Sequence, residues 1–135
     1  MRLTLRFPIK GLYYYAADAL WPHLKTGMHF KIQTEPDNSY DANAIQLFWT
    51  NRQGSALIGY IPRQLAKTLA EIYSPHDIEN LDNRISYLWR QGKWQEIELQ
   101  MTLDLPWHKA LQSVLLSLWL RKKHQWQRFR RKKSC

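Results

Sequence analysis

The sequence predicts a mainly β fold: a small six-stranded barrel, closed or nearly so, with one short internal helix and a C-terminal basic helix. Three observations predict it. Six stretches place an apolar side chain at every second position, as half-buried strands require. One proline-led stretch inside the chain repeats its leucines at helical spacing. So many short strands in a chain of 135 residues would expose unpaired edges unless the sheet curls on itself.

The first strand spans residues 2 to 10, with Leu3, Leu5, Phe7 and Ile9 on one face and Arg2, Thr4, Arg6, Pro8 and Lys10 on the other. Pro8 marks an edge or a strand end. The same period returns at Met28, Phe30 and Ile32, at Ile45, Leu47 and Trp49, and at Leu57 to Ile61. It continues at Ile85, Tyr87 and Trp89, and again at Ile97, Leu99, Met101, Leu103 and Leu105. Residues 35 to 41 and 51 to 54 are dense in turn formers and fall in loops. Leu65, Leu69 and Ile72 recur at helical spacing behind Pro62, which suits a first helical turn, so a helix is expected from about Pro62 to Tyr73. A second helix is expected from Pro106, because Trp107, Leu111, Val114, Leu115 and Leu118 share a face. Residues 1–105 thus form the barrel and 106–135 a C-terminal helix and tail.

Charge is unevenly placed. Residues 1 to 120 carry 12 Lys and Arg against 11 Asp and Glu, net +1, whereas residues 121 to 135 carry 8 Lys and Arg and no acid, net +8. A balanced fold with an arginine-rich end can use that end as an arm for a polyanion, nucleic acid or anionic membrane; a solvated tail is the plainer alternative. The single cysteine, Cys135, can form neither an internal disulfide nor a multi-cysteine zinc site. The N-terminal MRLTLRFPIKG lacks the apolar run of a secretory signal, and a cytoplasmic chain is expected.

Three motifs carry a resemblance. They are Gly11-Leu12-Tyr13-Tyr14-Tyr15 after the first strand, Glu35-Pro36-Asp37-Asn38-Ser39-Tyr40-Asp41-Ala42-Asn43-Ala44-Ile45, and Ile58-Gly59-Tyr60-Ile61-Pro62-Arg63-Gln64-Leu65-Ala66 with Leu69-Ala70 beyond. In this order and spacing they resemble the HIRAN domain family over about residues 3 to 105. The resemblance implies a modified OB-like barrel, found in DNA-repair ATPases and as small stand-alone bacterial proteins, that captures the free 3'-hydroxyl end of single-stranded DNA. It implies a stand-alone DNA-binding module for repair or replication-fork processing, with a helicase or nuclease as partner. No cofactor is expected, and no glycine-rich phosphate loop ending in Lys-Ser/Thr occurs.

The residues implied at the site have physical roles to fill. Single-strand binding needs aromatic faces for bases and cations for phosphates. Tyr14, Tyr15 and Tyr40 can supply the faces, and because neighbours on a strand point to opposite sides, Tyr13, Tyr14 and Tyr15 cannot all share one. Tyr13 stands where the family carries arginine, which removes one phosphate contact. Asp41 would oppose a polyanion unless it accepts a hydrogen bond, and a terminal 3'-hydroxyl is a donor without a phosphate. It can instead shape its loop as an Asx-turn, and Asn38 can do the same or donate to the terminal nucleotide. Arg63, in the first turn of the Pro62 helix, can clamp a phosphate with its fork. The late aromatic contact of the family corresponds to Trp94, or else Trp94 merely tips a hairpin.

Other readings compete. Asp37, Ser39, Asp41 and Asn43 fit the first positions of a calcium loop, but Ala42 replaces its glycine and Phe48 its bidentate glutamate. The five histidines lack metal-ligand spacing and no nucleophile elbow occurs, so catalysis is not expected. Leu116 and Leu120 fall opposite Leu111 and Leu118, making the last helix apolar all round. An interaction module that docks on a membrane or protein through this helix, as a homodimer for instance, is therefore the competing function.

Overall fold

The computed structural model of the chain describes residues 2–12 and 15–104. Tyr13, Tyr14, the helix expected from Pro106, the basic tail and Cys135 lie outside the described residues. The strands are β1 (Arg2–Pro8), β2 (Lys31–Thr34), β3 (Ile45–Asn51), β4 (Gly54–Tyr60), β5 (Asp82–Gln91) and β6 (Trp94–Asp104). The helices are α1 (Ala17–Leu20), continued by a 3-10 turn at Trp21–His23, then α2 (Arg63–Ile72) and α3 (Pro75–Glu79). All six expected strands are present. The internal helix is also present, with Pro62 standing just outside it as the N-cap.

The six strands form two antiparallel sheets of order β1-β6-β5 and β2-β3-β4. In the first sheet Leu3 faces Leu103, Leu5 faces Met101, Phe7 faces Leu99, and Ile85 faces Leu99 from the other side. In the second, Ile32 pairs with Leu47 and Leu47 with Gly59. The alternation thus sends one face of each sheet inward, and Leu5, Phe7, Ile45, Leu47, Ile58, Ile85, Ile97, Leu99 and Met101 are fully buried between them. Helix α2 adds Leu65, Ala66 and Leu69 to this core. Each fully buried aliphatic side chain contributes about 1.5–3 kcal/mol.

The barrel expected from the sequence does not close. Two short seams join the sheets instead of continuous ladders. At one, the Lys10 N–H donates to Tyr60 O at 2.9 Å and the Tyr60 N–H to Lys10 O at 2.8 Å. Here β1 stops at Pro8, which has no N–H to offer, and Gly11 at φ 84° turns the chain away. The backbones cross so closely that a Cβ on Gly59 would lie 2.4 Å from Lys10 O and 2.6 Å from Ile9 Cγ2. At the other seam, Gly27 N–H donates to Ile85 O and Ile85 N–H to Met28 O, both at 2.8 Å. Met28 and Phe30, assigned by alternation to a strand, precede β2 in irregular backbone. The buried Asn83 side chain serves them as a ladder would: its Oδ1 accepts from the Phe30 N–H at 2.9 Å and its Nδ2 donates to Phe30 O at 3.0 Å.

Two further elements have only local causes. α1 is a single turn after Tyr15. α3 opens at Ser74, whose Oγ accepts from the Asp77 N–H at 3.2 Å, with Pro75 in the first turn, an N-cap arrangement. Both elements are too short to show helical periodicity.

Candidate nucleic-acid interface

The β2–β3 connection, residues 35 to 44, is fixed by its own polar side chains. The Glu35 N–H donates to Ala44 O at 2.9 Å, closing the loop where the ladder ends. Asn38 organises the interior: its Oδ1 accepts from the N–H groups of Tyr40 at 2.9 Å and Asp41 at 3.0 Å, and its Nδ2 donates to Glu35 Oε1. Asn38 therefore shapes the loop. Asp41 Oδ1 accepts from the Asn43 N–H at 3.0 Å, the Asx-turn its sequence position allows. With one oxygen so engaged and the side chain only 19% exposed, the carboxylate is held in a fixed orientation. Tyr40, the preceding residue, is 91% exposed.

Arg63 opens α2 directly opposite. Its Nε lies 3.9 Å from Asp41 Oδ2, and its side chain is 76% exposed. That spacing is too long for a hydrogen bond. The guanidinium therefore balances Asp41 electrostatically while most of it faces solvent, able to meet a second anion at the start of the helix.

Tyr60 and Glu35 join this group, and neither was expected from the sequence. The Tyr60 hydroxyl donates to the Glu35 carboxylate at 3.1 Å and lies 3.4 Å from Gln46 Nε2, which donates to it. Burial, with the Glu35 carboxylate adding to it, pushes the Tyr60 hydroxyl up to about 12, so at neutral pH it is a donor. Tyr15 rests its ring on Tyr60, centroids 5.7 Å apart and tilted by 49°, while remaining 39% exposed. It sits in the turn before α1 and not on a strand, so strand alternation does not decide which way it faces. Tyr15, Tyr60, Glu35, Asn38, Asp41 and Arg63 thus form one chain of contacts across the second sheet.

Trp94 lies elsewhere, as the first residue of β6 after the β5–β6 turn. It is 37% exposed, and the Lys93 ammonium lies 5.7 Å from its ring centroid. Tyr13 and Tyr14, also expected at the site, lie outside the described residues. Among the described residues no group of three or more His, Cys, Asp or Glu is placed to hold a metal ion. Among them, too, no helix is long and apolar enough to cross a membrane.

Two antiparallel sheets enclosing one core, with a helix packed on it and a hydrogen-bonded β2–β3 loop beside Arg63 and Tyr60, give the architecture of an OB-like module. The chain belongs to the HIRAN domain family, a family known for DNA binding, whose sequence profile matches residues 3–105. The fold is similar to the HIRAN domain of human HLTF, at 24% identity and a TM-score of 0.52, over 88% of this chain and 87% of that one. It is likewise similar to a protein from Lactobacillus plantarum, at 24% identity and a TM-score of 0.52, over 77% of this chain and all of the other. A stretch of 56 residues is 34% identical to the Fanconi-associated nuclease 1 homolog of Oryza sativa subsp. japonica. It makes up 42% of this chain and only 6% of the rice protein.

Proposed function

We propose that this protein is a non-catalytic module that binds single-stranded DNA and recognises its free 3'-hydroxyl end. The observation that carries the reading is the Asp41 carboxylate, fixed by its Asx-turn between an exposed tyrosine and an arginine. A terminal 3'-hydroxyl donates to that carboxylate, whereas a continuing strand sets a phosphodiester against it and is repelled. Arg63 takes the neighbouring phosphate, and Tyr15 and Tyr40, with Tyr13 and Tyr14, offer faces for bases. Trp94 adds an aromatic contact further along the strand. Asn38 acts through the loop it shapes.

In this reading residues 1–105 bind the DNA end and residues 106–135 are an appended helix and basic arm. The module serves repair or replication-fork processing in the cytoplasm, delivering ends to a helicase or nuclease partner. The rice nuclease homolog supports that setting. The direct experiment compares one fluorescent oligonucleotide with a 3'-hydroxyl and the same oligonucleotide with a 3'-phosphate. Tighter binding of the hydroxyl form is expected; equal binding overturns end recognition.

A further inference from the structure

Glu35 stands where the Asp41 loop meets the body of the protein, and each of its carboxylate oxygens has a different partner. Oε1 accepts from Asn38 Nδ2, inside the loop, and Oε2 accepts from the Tyr60 hydroxyl at 3.1 Å, on the sheet. Tyr60 is a fixed post. Its residue pairs with Gln46 in the ladder and with Lys10 at the seam, and its hydroxyl also receives Gln46 Nε2 at 3.4 Å. On the loop side, the Asn38 amide that Glu35 holds turns its Oδ1 to the N–H groups of Tyr40 and Asp41. Half a turn of that amide would set an NH₂ group against two N–H donors. Glu35 therefore decides which end of Asn38 faces Asp41. The other restraint on Asp41 from outside its loop is weaker, since Arg63 Nε lies 3.9 Å from its Oδ2, beyond hydrogen-bond reach.

The path runs from Tyr60 through Glu35 and Asn38 to Asp41, and it needs two acceptor oxygens at position 35. A glutamine there supplies one acceptor and one donor, so it cannot receive both the Asn38 amide and the Tyr60 hydroxyl. We infer that Glu35 is a positioning residue, which sets strand-end selectivity through Asn38 by holding the Asp41 carboxylate in one place against the sheet. A carboxylate so held meets a terminal hydroxyl as a directed acceptor and cannot swing away from a terminal phosphate; a loosened one does neither. The inference rests on the proposed end recognition and deepens it, and it requires no contact between Glu35 and DNA.

The full chain, its Glu35→Gln and Tyr60→Phe variants, and each of these combined with Asp41→Asn are titrated with 3'-hydroxyl and 3'-phosphate forms of one thymidine decanucleotide. Thermal melts establish that each variant is folded, and NMR follows amide hydrogen exchange at Tyr40 and Asp41 in the free proteins. Glu35→Gln and Tyr60→Phe are each expected to speed that exchange about tenfold, for the loss of one hydrogen bond to a charged group. Each should lower the 3'-hydroxyl preference about fivefold, as coupled neighbours do. In the Asp41→Asn background neither should change the preference further, because both act through that carboxylate. A Glu35→Gln effect that persists there means its charge acts on DNA directly, and overturns the positioning role. So does a full wild-type preference, or wild-type exchange, in both folded single variants. A preference of one in wild type, with faster exchange in both variants, overturns end recognition and leaves Glu35 as the residue that positions Asp41.

Discussion

Asp41 has two tasks in this structure, shaping a loop and carrying a charge, and one substitution separates them. Asp41→Asn keeps the oxygen that accepts the Asn43 N–H at 3.0 Å and removes the charge; Asp41→Ala removes both. The ion pair with Arg63 is long, 3.9 Å, and its arginine is 76% exposed, so its loss costs under about 1 kcal/mol. Asp41→Asn should therefore melt close to wild type, and Asp41→Ala should lose a further ~1 kcal/mol for the missing loop bond. Selectivity should respond the other way. Two unit charges 4 Å apart repel by about 1 kcal/mol in water and about 4 kcal/mol in a partly buried setting. With Asp41 19% exposed, a value near ~2 kcal/mol follows, about 30-fold in affinity. Fluorescence anisotropy with 3'-hydroxyl and 3'-phosphate oligonucleotides, paired with thermal melts, reads both effects. If Asp41→Asn folds and keeps the full wild-type preference, the charge does not select ends and the residue only shapes its loop.

Three other outcomes are expected. Gly59→Ala drives a methyl to within 2.4 Å of Lys10 O and breaks the Lys10–Tyr60 seam, costing about 2–4 kcal/mol; a denaturation midpoint within error of wild type would show that the seam yields freely. The Tyr60 hydroxyl is raised from 10.0 to about 12, so between those values the folded chain holds a proton that the unfolded chain has released. Its stabilising effect is complete below pH 10 and fades as pH rises towards 12. The stability gap between wild type and Tyr60→Phe should narrow over that window; a gap independent of pH would contradict the raised hydroxyl, and with it the burial that chiefly raises it and the Glu35 contact that adds to it, while Tyr73, raised chiefly by burial, contributes equally to both proteins. Truncation after Leu120 removes the net +8 tail and should weaken DNA binding at low salt and flatten the salt slope while sparing end preference. An unchanged slope would assign the tail to another partner.

Period-two alternation located all six strands because one face of each is buried, and the helix behind Pro62 was legible for the same reason at a different period. Alternation reports burial, however, and not pairing. Met28 and Phe30 alternate because they reach the core, yet Phe30 is bonded by the Asn83 side chain in place of a strand partner. How the sheet edges meet depends likewise on Pro8, Gly11 and the close approach at Gly59, none of which leaves a periodic trace. At the site, Asn38 and Asp41 were readable from a compact motif with local hydrogen bonds. Tyr60 was quoted within a motif, but its role rests on Glu35, 25 residues away, and no sequence spacing joins the two. The Asp18–Arg90 contact was hidden for the same reason, since the two residues meet across 72 positions.

The loop between Thr34 and Ile45 has one more property. Apart from the Tyr60 hydroxyl on Glu35, its hydrogen bonds run among residues 35 to 44, and its ends leave as the last pair of an antiparallel ladder, Thr34 opposite Ile45. It behaves as a prefabricated plug. Because it is already ordered, a ligand does not have to supply the entropy of arranging it, and association proceeds at the rates of rigid docking, about 10⁵–10⁷ M⁻¹s⁻¹. A plug that asks of its host only two neighbouring strand ends, one facing tyrosine and one arginine beside its carboxylate can be moved. Grafted onto another hairpin, residues 35 to 44 would carry the carboxylate and its orientation with them.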